Sequence, residues 1–347
     1  MLRRLALLAL VALALAGCGA TSGTGSSTTG SGCKSPTSFT FRLNWVLDDE
    51  QVPYYTALDK GWYRQACIDP HFQPGTGSNN TVQLVANGSA QMGVSDTISV
   101  IAGQAKGMGI TGVGVVYQHN PTALLIRKAS LTAAQRSTAS PPLSMLYGKT
   151  YGAVITGSPY YFWKAFLKQQ HLNESQIKTV NIAAPGFTQM ATGQVDFIAT
   201  FFTTAPVLEG MGVPLKVLRL ADYGQQAYGL SYLVNNSFMH QHANAIKAFL
   251  KVTARAITYT NQHPEEGVKI LCKYNKSICS SQKALGTNVQ EQKLQIPLYQ
   301  NLQAGKPIFC TDAAVWKKTQ ELDLIAGVIS KAPDPATSFT NRFIDGC

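Results

Sequence analysis

The sequence predicts an α/β protein built from two similar lobes. The chain has 347 residues, of which 45% are hydrophobic, and this is enough to form two cores. Residues 39–63 pass from a strand pattern through a polar loop into a helix pattern, which is the basic unit of an α/β sheet. A short pattern of helix, glycine and strand occurs in residues 83–95 and again in residues 189–200, which indicates two related lobes.

The unit at residues 39–63 supplies the first candidate site. Apolar and polar residues alternate from Phe39 to Trp45, as in a strand with one buried face. Pro53 fits the first turn of the following helix, and Gly61 closes that helix. Loops that join a strand's C-terminal end to a helix bind ligands in open α/β sheets, although an ordinary capped helix with a core Trp is the alternative. The candidates in this loop are Asn44, Trp45, Asp48 and Gln51.

The repeated pattern adds polar residues at the ends of two further strands. Counted from Gly88 and Gly193, Ser95 and Thr200 fall at the same offset. Asp96 follows Ser95 and opens the next helix. We therefore expect Ser95, Asp96 and Thr200 near the same cleft.

Other polar loops contribute candidates from both halves of the chain. A Gly-rich turn at residues 74–81 places Ser78 and Asn79 as helix caps, and the free N–H groups of such a helix can bind an anion or a carbonyl. His119 lies in a polar turn, where it either contacts the ligand or has a structural role in its loop. In the turn at residues 156–163 and the helix that follows it, the aromatic residues Phe162 and Phe166 are assigned to packing. The remaining candidates are His119, Ser158, Tyr160 and Phe187.

Several enzyme classes find no support in the motifs. Residues 107–112 fit G-x-G-x-x-G, but they follow a helix and precede a strand, the reverse of a dinucleotide fingerprint. The turn at residues 74–81 lacks the Lys of a phosphate-binding P-loop, and neither G-x-S-x-G nor H-E-x-x-H occurs. The formal charge of +11 is spread over scattered Lys and Arg residues, which indicates a solvated surface rather than a nucleic-acid site.

The N-terminus is typical of an exported lipoprotein. Arg3 and Arg4 precede an apolar run that ends in Leu-Ala-Gly-Cys, which resembles a lipobox with Cys18 as the lipid anchor. A plain signal peptide with an incidental Cys is the alternative. Residues 1–18 are thus the expected signal, and residues 19–37 a Gly/Ser/Thr-rich tether. No later segment has the roughly 18 continuous apolar residues of a membrane span.

The remaining cysteines form an even set, as expected for disulfides in a protein outside the cytoplasm. A zinc site is the rival, but no C-x-x-C pair occurs. Six cysteines allow many connectivities, and the pairing we favour is Cys272 with Cys279, Cys310 with Cys347, and Cys33 with Cys67.

The chain resembles the substrate-binding proteins of bacterial ABC importers, most of all the branch that carries thiamine-pyrimidine precursors. Sulfonate, taurine and nitrate binders are related to that branch. The resemblance extends over nearly all of residues 39–344 and depends on the order and spacing of its motifs together. These are Leu43-Asn44-Trp45, residues 57–63, 82–88, 118–121, 193–196, 246–250, 261–266 and 339–344.

The resemblance implies a two-lobed periplasmic-binding-protein fold of type II, each lobe a mixed sheet flanked by helices. Lobe 1 is expected at residues 38–126 and 235–347, and lobe 2 at residues 127–234, with crossovers near residues 126–128 and 232–235. The lobes close on a small-molecule ligand, and the implied partners are a permease, its ATPase and the membrane, reached through an N-terminal lipid. A monomer without cofactor, metal or nucleic acid is expected.

The resemblance further implies a small, flat, polar heterocycle as ligand. Trp45, Tyr160 and Phe187 would offer ring faces, and Asp96 or Asp48 would accept hydrogen bonds from an exocyclic amine. One alternative is a sulfonate or other anion held at the helix N-termini near Ser78 and Ser158. A second is a secreted enzyme, since the same fold serves a pyrimidine-forming enzyme; this chain lacks the clustered cysteines of that enzyme. A surface adhesin is a third alternative.

Overall fold

Two five-stranded sheets form the framework of the protein. The computed structural model describes residues 33–347, so the predicted signal, Cys18 and most of the predicted tether lie outside the described residues. Within residues 33–347 the first sheet has the order β2-β1-β3-β10-β4 and the second the order β7-β6-β8-β5-β9. The strands are β1 (Thr37–Arg42), β2 (Ile68–Gln73), β3 (Met92–Asp96), β4 (Ile110–Val115), β5 (Thr122–Arg127), β6 (Thr150–Ala153), β7 (Lys178–Asn181), β8 (Phe197–Phe201), β9 (Leu215–Arg219) and β10 (Leu230–Asn235).

The two sheets repeat one topology. In the first, β3 is parallel to β1 and antiparallel to β10; in the second, β8 is parallel to β6 and antiparallel to β5. Each sheet is therefore mixed, as predicted. β3 and β8 correspond to each other, and so do the loops that follow β1 and β6.

Helices cover both sheets. The helix before each central strand ends at a glycine in the left-handed region, Gly88 with φ 81° and Gly193 with φ 77°, as the repeated pattern predicts. The helices are α1 (Val52–Asp59), α2 (Trp62–Gln65), α3 (Ser78–Ala86), α4 (Thr97–Ala105), α5 (Ala133–Ser137), α6 (Pro159–Gln169), α7 (Phe187–Thr192), α8 (Ala205–Gly210), α9 (Asn236–Gln241), α10 (Ala243–Gln262), α11 (Pro264–Leu271), α12 (Gln282–Gln295), α13 (Ala313–Ala326) and α14 (Pro335–Ser338).

The alternating pattern of β1 builds the first core. Phe39 and Phe41 are buried, and Phe41 packs on Phe249 of α10 with ring centroids 4.8 Å apart. Tyr63 stacks on the same Phe249 at 5.6 Å. Burying rings of this size dominates the energetics of a core, so β1 and α10 fix the first lobe.

β1 ends at Arg42, before the predicted end at Trp45. The carbonyl oxygen of Asn44 accepts a hydrogen bond from Gly77 N at 2.8 Å, and that of Trp45 accepts one from Gly75 N at 2.7 Å. A Cβ on Gly75 would lie 2.2 Å from the Leu43 oxygen, so only glycine allows this approach. The chain therefore leaves the sheet early and turns Asn44 and Trp45 towards the other lobe.

The chain crosses between the sheets earlier than predicted. β4 lies in the first sheet and β5 in the second, so the first crossover is residues 116–121. β9 lies in the second sheet and β10 in the first, so the return is residues 220–229. The predicted crossovers, near residues 126–128 and 232–235, fall one strand too late. β5 and β10 are both short apolar strands, and their composition does not specify which sheet they join.

The C-terminal third of the chain links the two lobes. α12 packs on α8 of the second lobe, and α13 packs on both α4 and α6. The disulfides are Cys33–Cys67, Cys272–Cys279 and Cys310–Cys347, the same pairing that the sequence analysis favours. None of the helices described in residues 33–347 is long and apolar enough to cross a membrane.

Candidate ligand-binding cleft

A cavity of about 480 Å³ lies between the two sheets, where the strands of both lobes end. Its volume is in the range of pockets that enclose a small organic ligand. We call the lining from residues 44–50, 77–78, 96 and 275–295 the acidic wall, and the lining from residues 154–207 the neutral wall. The lining residues used below are Asn44, Trp45, Asp48, Asp49, Glu50, Ser78, Asp96, Ser158, Phe187, Thr200, Phe201, Asn275, Glu291 and Gln295.

Asp96 is central to the acidic wall. It stands at the end of β3, is 2% exposed, and its Oδ2 accepts hydrogen bonds from the hydroxyls of Ser78, at 2.8 Å, and Ser158. Its Oδ1 has no hydrogen-bond partner. Burial raises the pKa of Asp96 to about 6, although both hydroxyl bonds oppose the shift. A buried acceptor without a donor costs about 1–3 kcal/mol, so Asp96 can accept one more donor at a favourable free energy.

Hydrogen bonds across the cleft join the two lobes. Ser158 belongs to the loop after β6, so its bond to Asp96 connects the second lobe to the first. Beside it, Asn79 donates to the Tyr161 hydroxyl at 2.8 Å and to the Thr156 carbonyl at 3.4 Å. The structure therefore shows the lobes in contact around the cavity, and Asp96 takes part in both the lining and the contact.

The loop after β1 folds as a capped turn with three carboxyls at the cavity, those of Asp48, Asp49 and Glu50. The Asp48 side chain accepts from Glu50 N at 3.2 Å, and the Gln51 side chain accepts from Asp48 N at 2.9 Å, which together form a capping box. Burial raises the pKa of Asp48 to about 7. The pKa of Glu50 is raised well above its usual range by burial and by the neighbouring charges of Asp48 and Asp96.

α12 contributes a third group of polar side chains. The Asp49 carboxylate accepts a hydrogen bond from Gln295 Nε2, and Gln295 Oε1 accepts one from Tyr117 at 2.9 Å. Glu291 is 3% exposed, and burial together with the charge of Asp49 raises its pKa to about 11. Burial likewise raises the pKa of Asp49 well above its usual range, and the charge of Asp48 adds to the shift.

A disulfide-bonded loop closes one end of the acidic wall. Cys272 and Cys279 bracket residues 273–278, of which Asn275, Ser277 and Ile278 line the cavity. Asn275 donates to the Leu47 carbonyl at 2.7 Å and so ties this loop to the loop after β1.

The neutral wall offers rings and hydroxyls. Phe187 begins α7, and Phe201 ends β8; both are half-buried, as is Trp45 on the opposite side. Thr200 and Ser158 add hydroxyls. Across the lining, which lies entirely within residues 33–347, there is no Lys, Arg or His. The cavity therefore combines aromatic surface with carboxyl acceptors.

The structure brings most of the predicted cleft residues together. Those that line the cavity are Asn44, Trp45, Asp48, Ser78, Asp96, Ser158, Phe187 and Thr200. Their roles towards a ligand stay predictions.

The other predicted residues lie outside the lining. Gln51 is fully buried in its capping box, and Ser95 is fully buried with its hydroxyl on the Ser78 carbonyl. Asn79 is used in the contact between lobes, and Tyr160 packs against the core of the second lobe. His119 is exposed in the first crossover.

Sequence reasoning missed Asp49, Glu50, Glu291 and Gln295 as lining residues. The acidic run at residues 48–50 is visible in the sequence, but Asp48 is the only carboxyl of this run among the predicted candidates. Glu291 and Gln295 lie one helical turn apart on α12 and face inward, among buried polar residues such as Gln292. A helix whose buried face is polar is a signal of a site, although the sequence does not say which face is buried.

Comparison with known proteins assigns the chain to a family. The family described as "NMT1/THI5 like" matches residues 49–267, which include both crossovers and most of the cleft. The chain belongs to the NMT1/THI5-like family. The expected resemblance is thereby confirmed.

Relatives of this NMT1/THI5-like chain include binding proteins and enzymes. The riboflavin-binding protein RibY of Chloroflexus aurantiacus is 26% identical over 318 residues, which cover 88% of this chain and 86% of RibY. The formylaminopyrimidine-binding protein of Halalkalibacterium halodurans is 19% identical, and the match covers 80% of this chain and 81% of that protein. A 4-amino-5-hydroxymethyl-2-methylpyrimidine phosphate synthase of Legionella pneumophila is 21% identical, and the match covers 88% of this chain and 92% of the synthase.

Solved structures confirm the fold. The periplasmic aliphatic sulphonate binding protein SsuA from Escherichia coli has a TM-score of 0.63 at 17% identity, covering 88% of this chain and 92% of SsuA. A Candida albicans protein described as having the generic periplasmic binding protein fold has a TM-score of 0.62 at 15% identity, covering 88% and 96%. The predicted α/β architecture of periplasmic-binding-protein type II is therefore the observed one.

Proposed function

We propose that this NMT1/THI5-like chain is a solute-binding protein of an ABC importer that captures a small planar polar heterocycle of the aminopyrimidine kind between its lobes. The observation that carries the proposal is the cavity itself. It lies between two lobes in contact, and it offers aromatic surface from both walls together with buried acceptors on one of them. Flat rings suit such surfaces, and amino groups suit such acceptors.

The relatives support the same ligand class. Riboflavin and formylaminopyrimidine, named for two of them, are flat nitrogen heterocycles. The cavity of about 480 Å³ leaves room for more than one six-membered ring. Two-ring and three-ring ligands therefore belong in any test of binding.

An anion-binding function is the second candidate, because the fold is shared with a sulphonate-binding protein. The cleft argues against it. Lys and Arg are absent from the lining, which lies wholly in the described part of the chain, and five carboxyls are present. A sulfonate would have to approach those carboxyls without a compensating cation.

Catalysis is the third candidate, since one relative is named a synthase. The sequence lacks the clustered cysteine motif expected of the pyrimidine-forming enzyme. Capture and delivery of a solute therefore remain the function we propose. With it we propose an extracytoplasmic location, anchoring through a lipid on Cys18, and delivery to a permease with its ATPase; the anchor lies outside the described residues.

Thermal-shift titration of the full chain tests the ligand class. The panel contains 4-amino-5-hydroxymethyl-2-methylpyrimidine, thiamine, riboflavin, taurine and nitrate. We expect saturable stabilisation by at least one heterocycle and none by taurine or nitrate, because only the heterocycles can use both the rings and the carboxyls. Stabilisation by taurine alone would favour the anion-binding function, and consumption of any bound compound would indicate an enzyme.

A further inference from the structure

The acidic wall carries more carboxyl groups than its own surroundings satisfy. Five carboxyls line the cavity: Asp48, Asp49, Glu50, Asp96 and Glu291. None of them takes part in the ion pairs found among residues 33–347, which lie elsewhere on the molecule. Buried charge of one sign is normally paired or neutralised by protonation, so these carboxyls either hold protons or meet a cationic partner from outside residues 33–347.

Part of the cluster is satisfied internally. Asp49 accepts from Gln295, while Asp48 caps the turn that begins at Asp49. Glu50 Oε1 accepts from Gln51 Nε2 at 3.3 Å, and Asp96 Oδ2 accepts from Ser78 and Ser158, which leaves Asp96 Oδ1 without a donor. Glu50 and Asp96 both lie on the cavity surface.

Two buried acceptors at the cavity have no donor. One is Asp96 Oδ1, on a residue that is 2% exposed, and the other is Asn44 Oδ1, on a residue that is 5% exposed. Both residues line the cavity, and both orphan atoms accept rather than donate. The complementary ligand must therefore present N–H or O–H groups at this point.

We propose that the ligand carries a positively charged nitrogen, an ammonium or a protonated ring, that donates to Asp96 Oδ1 and neutralises the carboxyl pair of Asp96 and Glu50. The inference rests on the proposed capture of a heterocycle and specifies that this heterocycle is positively charged. A neutral amine would satisfy the orphan acceptors. Only a cation would also replace the protons that the crowded carboxyls hold when the cleft is empty.

A metal ion is the other cation to consider. Among the described residues, no group of three or more His, Cys, Asp or Glu side chains is arranged to hold a metal ion. The carboxyls are distributed over the loop after β1, the end of β3 and α12, with aromatic surface opposite. An organic cation with a flat ring fits this arrangement, because the ring meets the neutral wall while the charge meets the acidic wall.

The titratable side chains of the lining are the five carboxyls, and all belong to the acidic wall. Nearby phenols are Tyr54, Tyr117 and Tyr299, which feel the charge of Glu50, and Tyr161 of the second lobe, which accepts from Asn79. The neutral wall contributes no titratable side chain to the lining. Binding of a cation therefore releases protons from the acidic wall, and its affinity rises with pH.

Two probes that share one ring but differ in charge test the inference. The first is 4-amino-5-aminomethyl-2-methylpyrimidine, whose primary amine is protonated near neutral pH, as a lysine side chain is. The second is the 5-hydroxymethyl compound, which has the same ring without that charge. Isothermal titration of the full chain at pH 7, in two buffers of different ionisation enthalpy, gives the affinity and the protons released for each probe. Ca²⁺ is titrated as a third probe.

We expect the aminomethyl probe to bind roughly 10- to 100-fold more tightly than the hydroxymethyl probe, since hydrogen bonds to charged groups are the strong ones. Glu50→Gln should remove most of this preference while leaving the contact between Asp96 and Ser158 in place. Asp345→Asn, an exposed carboxyl outside the lining, is the matched control and should keep the preference.

The outcomes separate the inference from the proposed function. Equal or tighter binding of the hydroxymethyl probe, without proton release, would overturn the positive charge and leave heterocycle capture intact. Binding of Ca²⁺ in the cleft with loss of the preference would overturn it as well. Failure of both pyrimidines, thiamine and riboflavin to bind would overturn the proposed function together with the inference.

Discussion

The two walls of the cleft occupy equivalent places in two copies of one sheet topology, yet they differ in chemistry. The registers pair Arg42 with Gly93 and Gly152 with Ile198, so Asp96 at the end of β3 corresponds to Phe201 at the end of β8. In the same way, Asn44 after β1 corresponds to Val154 after β6. Where the first lobe places a carboxylate and an amide, the second places a ring and an aliphatic side chain.

This difference divides the work of recognition between the lobes. The acidic wall, with its buried carboxyls, can specify charge and hydrogen-bond donors. The neutral wall can specify flatness and exclude water, and its Ser158 hydroxyl contacts Asp96 when the lobes meet. Specificity should therefore respond to changes in the acidic wall, whereas changes in the neutral wall should weaken all ring ligands alike.

The largest expected effect is a pH-dependent gain of stability in Asp48→Asn without ligand. Burial raises the pKa of Asp48 to about 7, so the folded state retains a proton that the unfolded chain loses near pH 4. The stability that this proton provides is present below about pH 4 and is lost as the pH rises to about 7. Asn caps a helix as well as Asp but does not ionise. The variant should thus exceed the wild type by up to about 4 kcal/mol at pH 7 and match it at pH 4.

Urea unfolding of both proteins at several pH values measures that difference. Thr204→Val, on the neutral wall, is the control and should shift stability equally at every pH. A difference between Asp48→Asn and the wild type that is constant with pH would contradict the burial of charge in the acidic wall.

Next in size is the effect of Asp96→Asn on ligand affinity. The change keeps the side-chain shape but removes the charge that accepts from Ser78, Ser158 and, as we propose, the ligand. Hydrogen bonds to a charged group contribute about 1.5–3 kcal/mol, so affinity for the best heterocycle of the panel should fall roughly 10- to 100-fold. Calorimetric titration measures this loss. Unchanged affinity would exclude Asp96 from recognition.

Phe187→Ala on the neutral wall should have a smaller and less selective effect. Losing one ring contact costs about 0.5–1.5 kcal/mol beyond the lost area, and the loss does not depend on ligand charge. Both pyrimidine probes should weaken by the same factor in the same calorimetric titration. Leu302→Ala, an exposed apolar residue outside the lining, is the control. A loss of affinity confined to the charged probe would contradict the assignment of charge recognition to the acidic wall alone.

The smallest expected effect on affinity comes from removing the Cys272–Cys279 disulfide by replacing both cysteines with Ser. The loop supplies Asn275 to the acidic wall, and its loosening should weaken binding less than either substitution above. The matched double variant at Cys310 and Cys347, which lie outside the lining, should leave affinity unchanged. This second variant should nevertheless lose more free energy of unfolding, about 4 kcal/mol against about 2.5 kcal/mol, because the Cys310–Cys347 disulfide closes a longer loop. An affinity loss only in the second variant would contradict the assignment.

The sequence was sufficient for the local units of the fold but not for their arrangement. The alternation from Phe39, Pro53 at a helix start and the glycines at 88 and 193 all act within a few residues. Each element is found, although β1 ends three residues before the predicted end. The positions of the crossovers depend on which sheet β5 and β10 join. Only tertiary packing decides which sheet a short apolar strand joins, so these positions could not be predicted.

The same distinction holds for the cleft. Asn44, Asp96 and Ser158 follow strands directly, so their positions could be predicted from the rule for strand ends. Glu291 and Gln295 reach the cavity only because α12 packs beside the loop after β1, some 240 residues earlier in the chain. Such a contact has no local signature, which is why the acidic wall was recognised only in part.

A crystal structure of the full chain with its best heterocyclic ligand tests the central claim most directly. The account predicts a ring between Trp45 and Phe187, with a nitrogen within hydrogen-bonding distance of Asp96 Oδ1. A ligand whose anionic group lies at the N-termini of α3 and α6, with Asp96 Oδ1 still without a donor, would contradict it.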